Sequence, residues 1–117
     1  MSAKEALKCQ ILIIGENGVG KKSIIERYIY NAFSYRPIFS QAFFFVVKKI
    51  FLEEFNQTIR FLFFNPEGQG KYKAFPKGFY KNADACVMVY DIMRNSSFEK
   101  LKNYWVKEVK ANGSPNI

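Results

Sequence analysis

The hydrophobic positions along the chain change period several times, and each change marks an element. Residues 8–14, Lys-Cys-Gln-Ile-Leu-Ile-Ile, form an apolar run that reads as a strand buried along most of its length. It leads straight into Gly15, Glu16, Asn17, Gly18, Val19 and Gly20. Beyond them Ile24, Ile25, Tyr28 and Ile29 recur at i, i+1, i+4 and i+5 with Lys and Glu between, the spacing of an amphipathic helix. That helix is expected to fray over residues 31–34, and Pro37 blocks its continuation. Residues 41–52 are rich in Phe and Val and suit a strand. A polar turn at residues 53–57 then returns the chain as a partner strand over 58–64, making a hairpin.

Asn65, Pro66, Glu67, Gly68, Gln69 and Gly70 have the composition of a loop. Pro76 and Gly78 allow at most a short, irregular helix over 71–82. Residues 85–90, Ala-Cys-Val-Met-Val-Tyr, are continuously apolar, as expected of a central parallel strand covered on both faces. Ser96, Ser97, Phe98 and Glu99 match a capping box, followed by Phe98, Leu101, Trp105 and Val109 on one helical face. Asn112, Gly113 and Pro115 form the stop signal. Strand, helix, hairpin, strand and helix in that order predict an α/β sheet wound with crossover helices.

Length narrows this to one domain and one core, since the chain has 117 residues. No run of 18 apolar residues is available for a spanning helix, and the N-terminus lacks the pattern of a signal peptide. Without a single His, imidazole catalysis and most zinc sites are excluded. Cys9 and Cys86 lie inside apolar runs and read as small buried hydrophobes in a reducing compartment, not as a disulfide. A net charge of +8 favours an anionic partner (nucleotide, nucleic acid or acidic lipid), or reflects a surface that simply uses Lys. Lys73, Lys77 and Lys81 form a short basic stripe, but Pro76 interrupts it and no aromatic stacking motif accompanies it, so nucleic acid is not the expected partner.

The most specific chemistry lies in residues 15–21, which supply G-x-x-x-x-G-K between a strand and a helix. Glycines let successive backbone N–H groups converge on one point, and the positive end of the helix reinforces them. Lys21 adds a mobile charge for the outer phosphates. The next residue would normally be a Ser or Thr that ligates Mg²⁺. Here it is Lys22, whose ammonium has no lone pair. Ser23 follows one step later, about 100° round the helix, and is a poor substitute.

With the phosphate loop, Asn82-Ala83-Asp84-Ala85-Cys86-Val87-Met88-Val89-Tyr90-Asp91-Ile92 and Ser96 to Trp105 on the page, the chain resembles a Ras-superfamily small GTPase of the Rab branch. The resemblance covers nearly all of the chain and implies a P-loop, three-layer α/β fold with a mostly parallel sheet and one antiparallel hairpin strand. It places the phosphate site on Gly15, Glu16, Asn17, Gly18, Val19, Gly20, Lys21, Lys22 and Ser23. Switch I falls on residues 35–42, with Ser40 at the magnesium-binding Thr of the family. The family's D-T-A-G-Q falls on residues 65–69, which brings Gly68 to the nucleotide and Gln69 to the attacking water. The aromatic triad of Rab effector surfaces falls on Phe45, Phe64 and Phe79, each of which also suits plain core packing.

Four departures from that family shape the functional expectations. Lys22 and Asn65 replace two of the groups that anchor Mg²⁺, so no metal ligand set is expected and hydrolysis should be weak, slow or absent. Pro66 stiffens a loop that moves with nucleotide state in the family. The guanine-reading motifs N-K-x-D and S-A-K would lie beyond Ile117, so residues 1–117 are expected to form a single, incomplete domain with its C-terminal part missing. Phe43, Phe44, Phe45, Val46 and Val47 are apolar on both faces and are expected to sit against protein. Neither a prenylation nor a myristoylation signal occurs in this chain, so no lipid anchor is expected. Two readings result. One is a Rab-like GTP- or GDP-binding protein, or its degenerate pseudo-GTPase form, with impaired hydrolysis. The other is a nucleotide-free interaction module in a larger assembly. Both belong in the cytoplasm, at the periphery of an organelle or within a large complex.

Overall fold

The computed structural model describes residues 7–31, 44–65 and 77–117. In chain order these form β1 (Leu7–Ile14), α1 (Lys21–Tyr30), β2 (Phe44–Leu52), a 3₁₀ turn (Glu53–Phe55), β3 (Gln57–Asn65), α2 (Lys77–Lys81) and β4 (Ala85–Met88). They continue with α3 (Asn95–Lys100), a π-helical turn (Leu101–Trp105) and α4 (Val106–Asn112). The strands make one four-stranded sheet in the order β2-β3-β1-β4. β1 runs parallel to β3 and β4, whereas β2 and β3 are antiparallel, with Phe45 opposite Phe64 and Val47 opposite Leu62. The expected mostly parallel sheet with one hairpin strand is therefore present.

Successive side chains of a strand point to opposite faces, and β1 uses both. Leu12 and Ile14 join Leu62, Phe64, Tyr80, Leu101 and Val109 in a core beneath α2, the π-turn and α4. Ile13 joins Val46, Phe63, Val89 and Ile25 of α1 in a second core on the other face. Leu12, Ile13 and Ile14 are consequently almost wholly withdrawn from solvent. The Lys48 ammonium donates to the Tyr28 carbonyl at 2.8 Å and lies 4.4 Å above the Tyr28 ring, tying β2 to the end of α1.

Left-handed asparagines close two elements: Asn31 (φ 52°) ends α1, and Asn56 (φ 47°) ends the 3₁₀ turn between β2 and β3. Asn tolerates this conformation better than most residues. The stop signal at Asn112 and Gly113 also acts where expected, with the Gly113 N–H donating to the Val109 carbonyl at 2.7 Å.

Four expectations need correction. β4 ends at Met88, two residues short of the expected strand, and Val87 and Met88 are exposed instead of covered; among the described residues it is the outer strand, a bare apolar edge as expected of a fold whose C-terminal part is missing. Continuous hydrophobicity reports apolar surface, and no described strand lies beyond this edge. The capping box of Ser96 and Glu99 does not form, because α3 starts earlier, at Asn95 after Arg94. Glu99 instead approaches Lys102 at 3.4 Å. Within this chain residues 45–47 are covered on one face only: Val46 is buried, while Phe45 and Val47 are exposed, and residue 43 lies outside the described residues. Cys9 and Cys86 are both free, and both are half-buried instead of buried.

The π-turn lies within what the sequence presents as one uninterrupted helix. Leu101, Trp105 and Val109 are spaced i, i+4, i+8, which drifts by about 40° per step around a regular helix. A π-turn closes over an extra residue, which offsets that drift and keeps Leu101 and Val109 in the core with Trp105 packed against it.

Burial pushes the Cys86 thiol up to about 12, and burial together with the Asp84 carboxylate raises Cys9. Above the ordinary thiol pKa of about 9 the folded chain therefore binds more protons than the unfolded chain, and stability falls as pH rises toward about 12. Urea denaturation as a function of pH should show the midpoint declining above about pH 9. In the native chain at about pH 8, iodoacetamide should modify Cys86 more slowly than Cys9, with the difference abolished in denaturant.

Candidate nucleotide-phosphate site

The C-terminal ends of β1 and β4 converge, and the glycine loop begins where they meet. The Val89 N–H donates to the Ile14 carbonyl at 2.9 Å. Gly15 (φ 152°) then passes so close to β4 that a Cβ there would overlap the Val89 carbonyl oxygen. Gly18 (φ 81°) and Gly20 (φ 107°) take left-handed conformations that let the loop turn into α1. α1 has ten residues, receives no side-chain cap from Gly20, and carries no acid in its first turn. Its positive end is thus left for an anion.

Lys21 completes the loop from inside. Its side chain is only 2% exposed, and its ammonium donates to the carbonyls of Gly15 at 2.6 Å and Glu16 at 2.8 Å. The ammonium is thereby held at the loop with its charge hydrogen-bonded. Val19 packs into the core under α1, while Lys22 and Ser23 are half-buried on the first turn. Asn65, at the end of β3, is completely buried. Of the sequence-predicted site, residues 15–23 are brought together, whereas Ser40, Gly68 and Gln69 lie outside the described residues, as do Pro66 and residues 35–42. Among the described residues, no three His, Cys, Asp or Glu side chains are grouped as a metal would require.

Two side chains that the motif does not contain reach the loop from the other end of the sequence. Arg94 donates through Nη2 to the Asn17 carbonyl at 2.7 Å. The Trp105 indole donates to Glu16 Oε1 at 3.4 Å. Glu16, Asn17, Arg94, Ser96 and Lys100 line an open pocket of about 320 Å³ between loop and helix. By its helical spacing Trp105 suits only a core position, and nothing local to Arg94 singles it out. A usable signal was topological, because ligands of open α/β sheets gather at the carboxyl ends of the strands, and Arg94 follows β4.

Of the aromatic triad, Phe45 and Phe64 are in contact, with ring centroids 4.8 Å apart. Phe64 is buried and Phe45 is 48% exposed. Phe79 lies on α2.

A strand, a glycine loop with a buried lysine and a helix, set on a mostly parallel sheet, define the P-loop class. Within that class a family model described as the Ras family matches residues 10–117, and the chain belongs to that family as a Rab-like member. It is 33% identical over 110 residues to Ras-related protein Rab-22A of Homo sapiens, covering 92% of this chain and 54% of that protein. It is 34% identical over 106 residues to RabC of Dictyostelium discoideum, covering 91% and 54% respectively. RABG3b of Arabidopsis thaliana is 32% identical over 115 residues, covering 98% and 55%. The chain thus spans about half the length of these curated relatives. No helix among the described residues is long and apolar enough to cross a membrane.

Gly15→Ala should destabilise the fold, because the added methyl meets backbone that cannot rotate away. A loss of about 2–4 kcal/mol in urea denaturation is expected. Gly20→Ala, where nothing lies within 4 Å of the new methyl, carries only the strain of its left-handed φ and should cost about 1–2 kcal/mol.

Proposed function

We propose that the chain binds the phosphates of guanine nucleotides, GDP or GTP, through residues 15–23, and that it hydrolyses GTP slowly or not at all. The observation that carries this reading is the buried Lys21 ammonium, docked on Gly15 and Glu16 at the mouth of an uncapped helix. A nucleotide bound there supplies the phosphate charge that the loop amides and Lys21 neutralise. Membership of the Ras family supports guanine as the base.

Magnesium does not fit the donor set equally well. Lys22 offers an ammonium in place of a ligating hydroxyl, and the fully buried Asn65 offers a neutral amide in place of a carboxylate. Lys22 then provides positive charge beside Lys21 without a metal. Gln69 and Ser40 keep groups that orient water and ligate metal in the family, but with two anchoring groups changed they have little to act on.

A second reading is favoured by a different observation. Phe45, Val47 and Phe51 are 48%, 42% and 55% exposed on one face of the outer strand β2. A contact module in a larger assembly that docks on this strand would cover them.

Isothermal titration of the full chain with GDP, with and without EDTA, tests the first reading. Binding unaffected by EDTA is expected, and an EDTA-induced loss would overturn the metal-independent reading. Lys22→Ser with Asn65→Asp should make GDP affinity rise on adding Mg²⁺. The same double variant should melt lower than the parent in EDTA, because it places a full negative charge at a completely buried position. A chain that binds no guanine nucleotide yet co-purifies in a stoichiometric complex would establish the second reading instead.

A further inference from the structure

The turn that carries Arg94 is rigidly built. Ser97 is fully buried, and its hydroxyl accepts from the Asp91 N–H at 2.9 Å and lies 2.7 Å from the Arg94 carbonyl, to which it donates. The Arg94 N–H donates to the Asp91 carbonyl at 2.9 Å, and the Ser97 N–H to the Arg94 carbonyl at 3.0 Å. Asp91 Oδ1 in turn accepts from the Met93 N–H at 2.9 Å. These bonds fix the backbone from which the guanidinium reaches across to Asn17.

The consequence for the loop follows from peptide geometry. A trans peptide is planar, and its carbonyl and the next N–H point in opposite directions. Holding the Asn17 carbonyl against Arg94 therefore turns the Gly18 N–H away from the guanidinium. Gly18 is left-handed, with φ 81°, and carries no Cβ to resist another orientation, so without an anchor this peptide is free to flip. Its N–H is also one of the donors a phosphate loop must aim at an anion.

We propose that Arg94 is a positioning residue for phosphate binding: by anchoring the Asn17 carbonyl it pre-sets the Gly18 N–H as an anion donor. This inference rests on the phosphate-binding reading of the loop. Arg94 acts from behind, through a neutral carbonyl, and not as a ligand of the phosphate. Trp105, the sole tryptophan of the chain and hydrogen-bonded to the neighbouring Glu16, reports on the same loop from within.

The test is titration of the full chain with pyrophosphate and with GDP, followed by calorimetry and by Trp105 fluorescence. Arg94→Ala and Arg94→Met should weaken both ligands about tenfold to 150-fold, the span of one charge-assisted hydrogen bond. Arg94→Lys, which keeps a donor without the planar fork, should recover part of the loss. The loss should persist at about 0.5 M salt, where a through-space charge effect is screened out, and the unliganded melting temperature should stay unchanged. Wild-type affinity in Arg94→Ala would overturn the proposal. So would full recovery by Lys combined with disappearance of the defect in salt, since that would mean charge and not position. If the unsubstituted folded chain binds neither ligand, the phosphate-binding reading falls as well. Binding by the unsubstituted chain with an indifferent Arg94→Ala overturns only the positioning role.

Discussion

An ammonium taken out of water sits at the end of β1, and much of the molecule is arranged around that fact. Removing such a charge from solvent without partners costs several kcal/mol or more. Lys21 meets the requirement through two backbone carbonyls, those of Gly15 and Glu16. Those carbonyls can converge only because the loop turns through glycine conformations. The loop in turn can start where it does only because Gly15 has no side chain to collide with Val89. One lysine thereby fixes the joining of β1, β4 and α1.

The two cores serve the same end. Leu12 and Ile14 belong to one and Ile13 to the other, so β1 is clamped from both faces just before the loop begins. Phosphate loops need immobile backbone, because donors that must reorganise lose much of their value. β2, two strands away from β1 in the sheet order, has no such demand, and it leaves Phe45, Val47 and Phe51 exposed.

Much of this was legible in the chain. The apolar run ending in Gly15, and the Gly-to-Lys spacing after it, specified the strand, loop and helix, because a phosphate loop is encoded almost wholly by neighbours in sequence. The hairpin and both terminal stops were similarly local. What escaped depended on distant neighbours. Residues 85–90 carry the same letters whether the strand is central or outermost, and only the sheet order distinguishes them. Ser96 and Glu99 fit a cap perfectly well on paper, yet the turn braced by Ser97 moved the helix start upstream. Arg94 is 77 residues from Asn17, and no spacing rule spans that distance.

The π-turn has a bearing on how this helix tolerates change. A wide turn stores one surplus residue inside an otherwise regular helix. Loss of one of the exposed residues 102–104 would therefore tighten the turn to α geometry and leave the downstream segment facing as before, with Val109 still in the core. Elsewhere in a helix the same deletion rotates everything after it by about 100°. The helix thus has a built-in slack, and it lies beside the one indole that touches the phosphate loop. Length variation here would be nearly silent for the fold and audible only at Glu16.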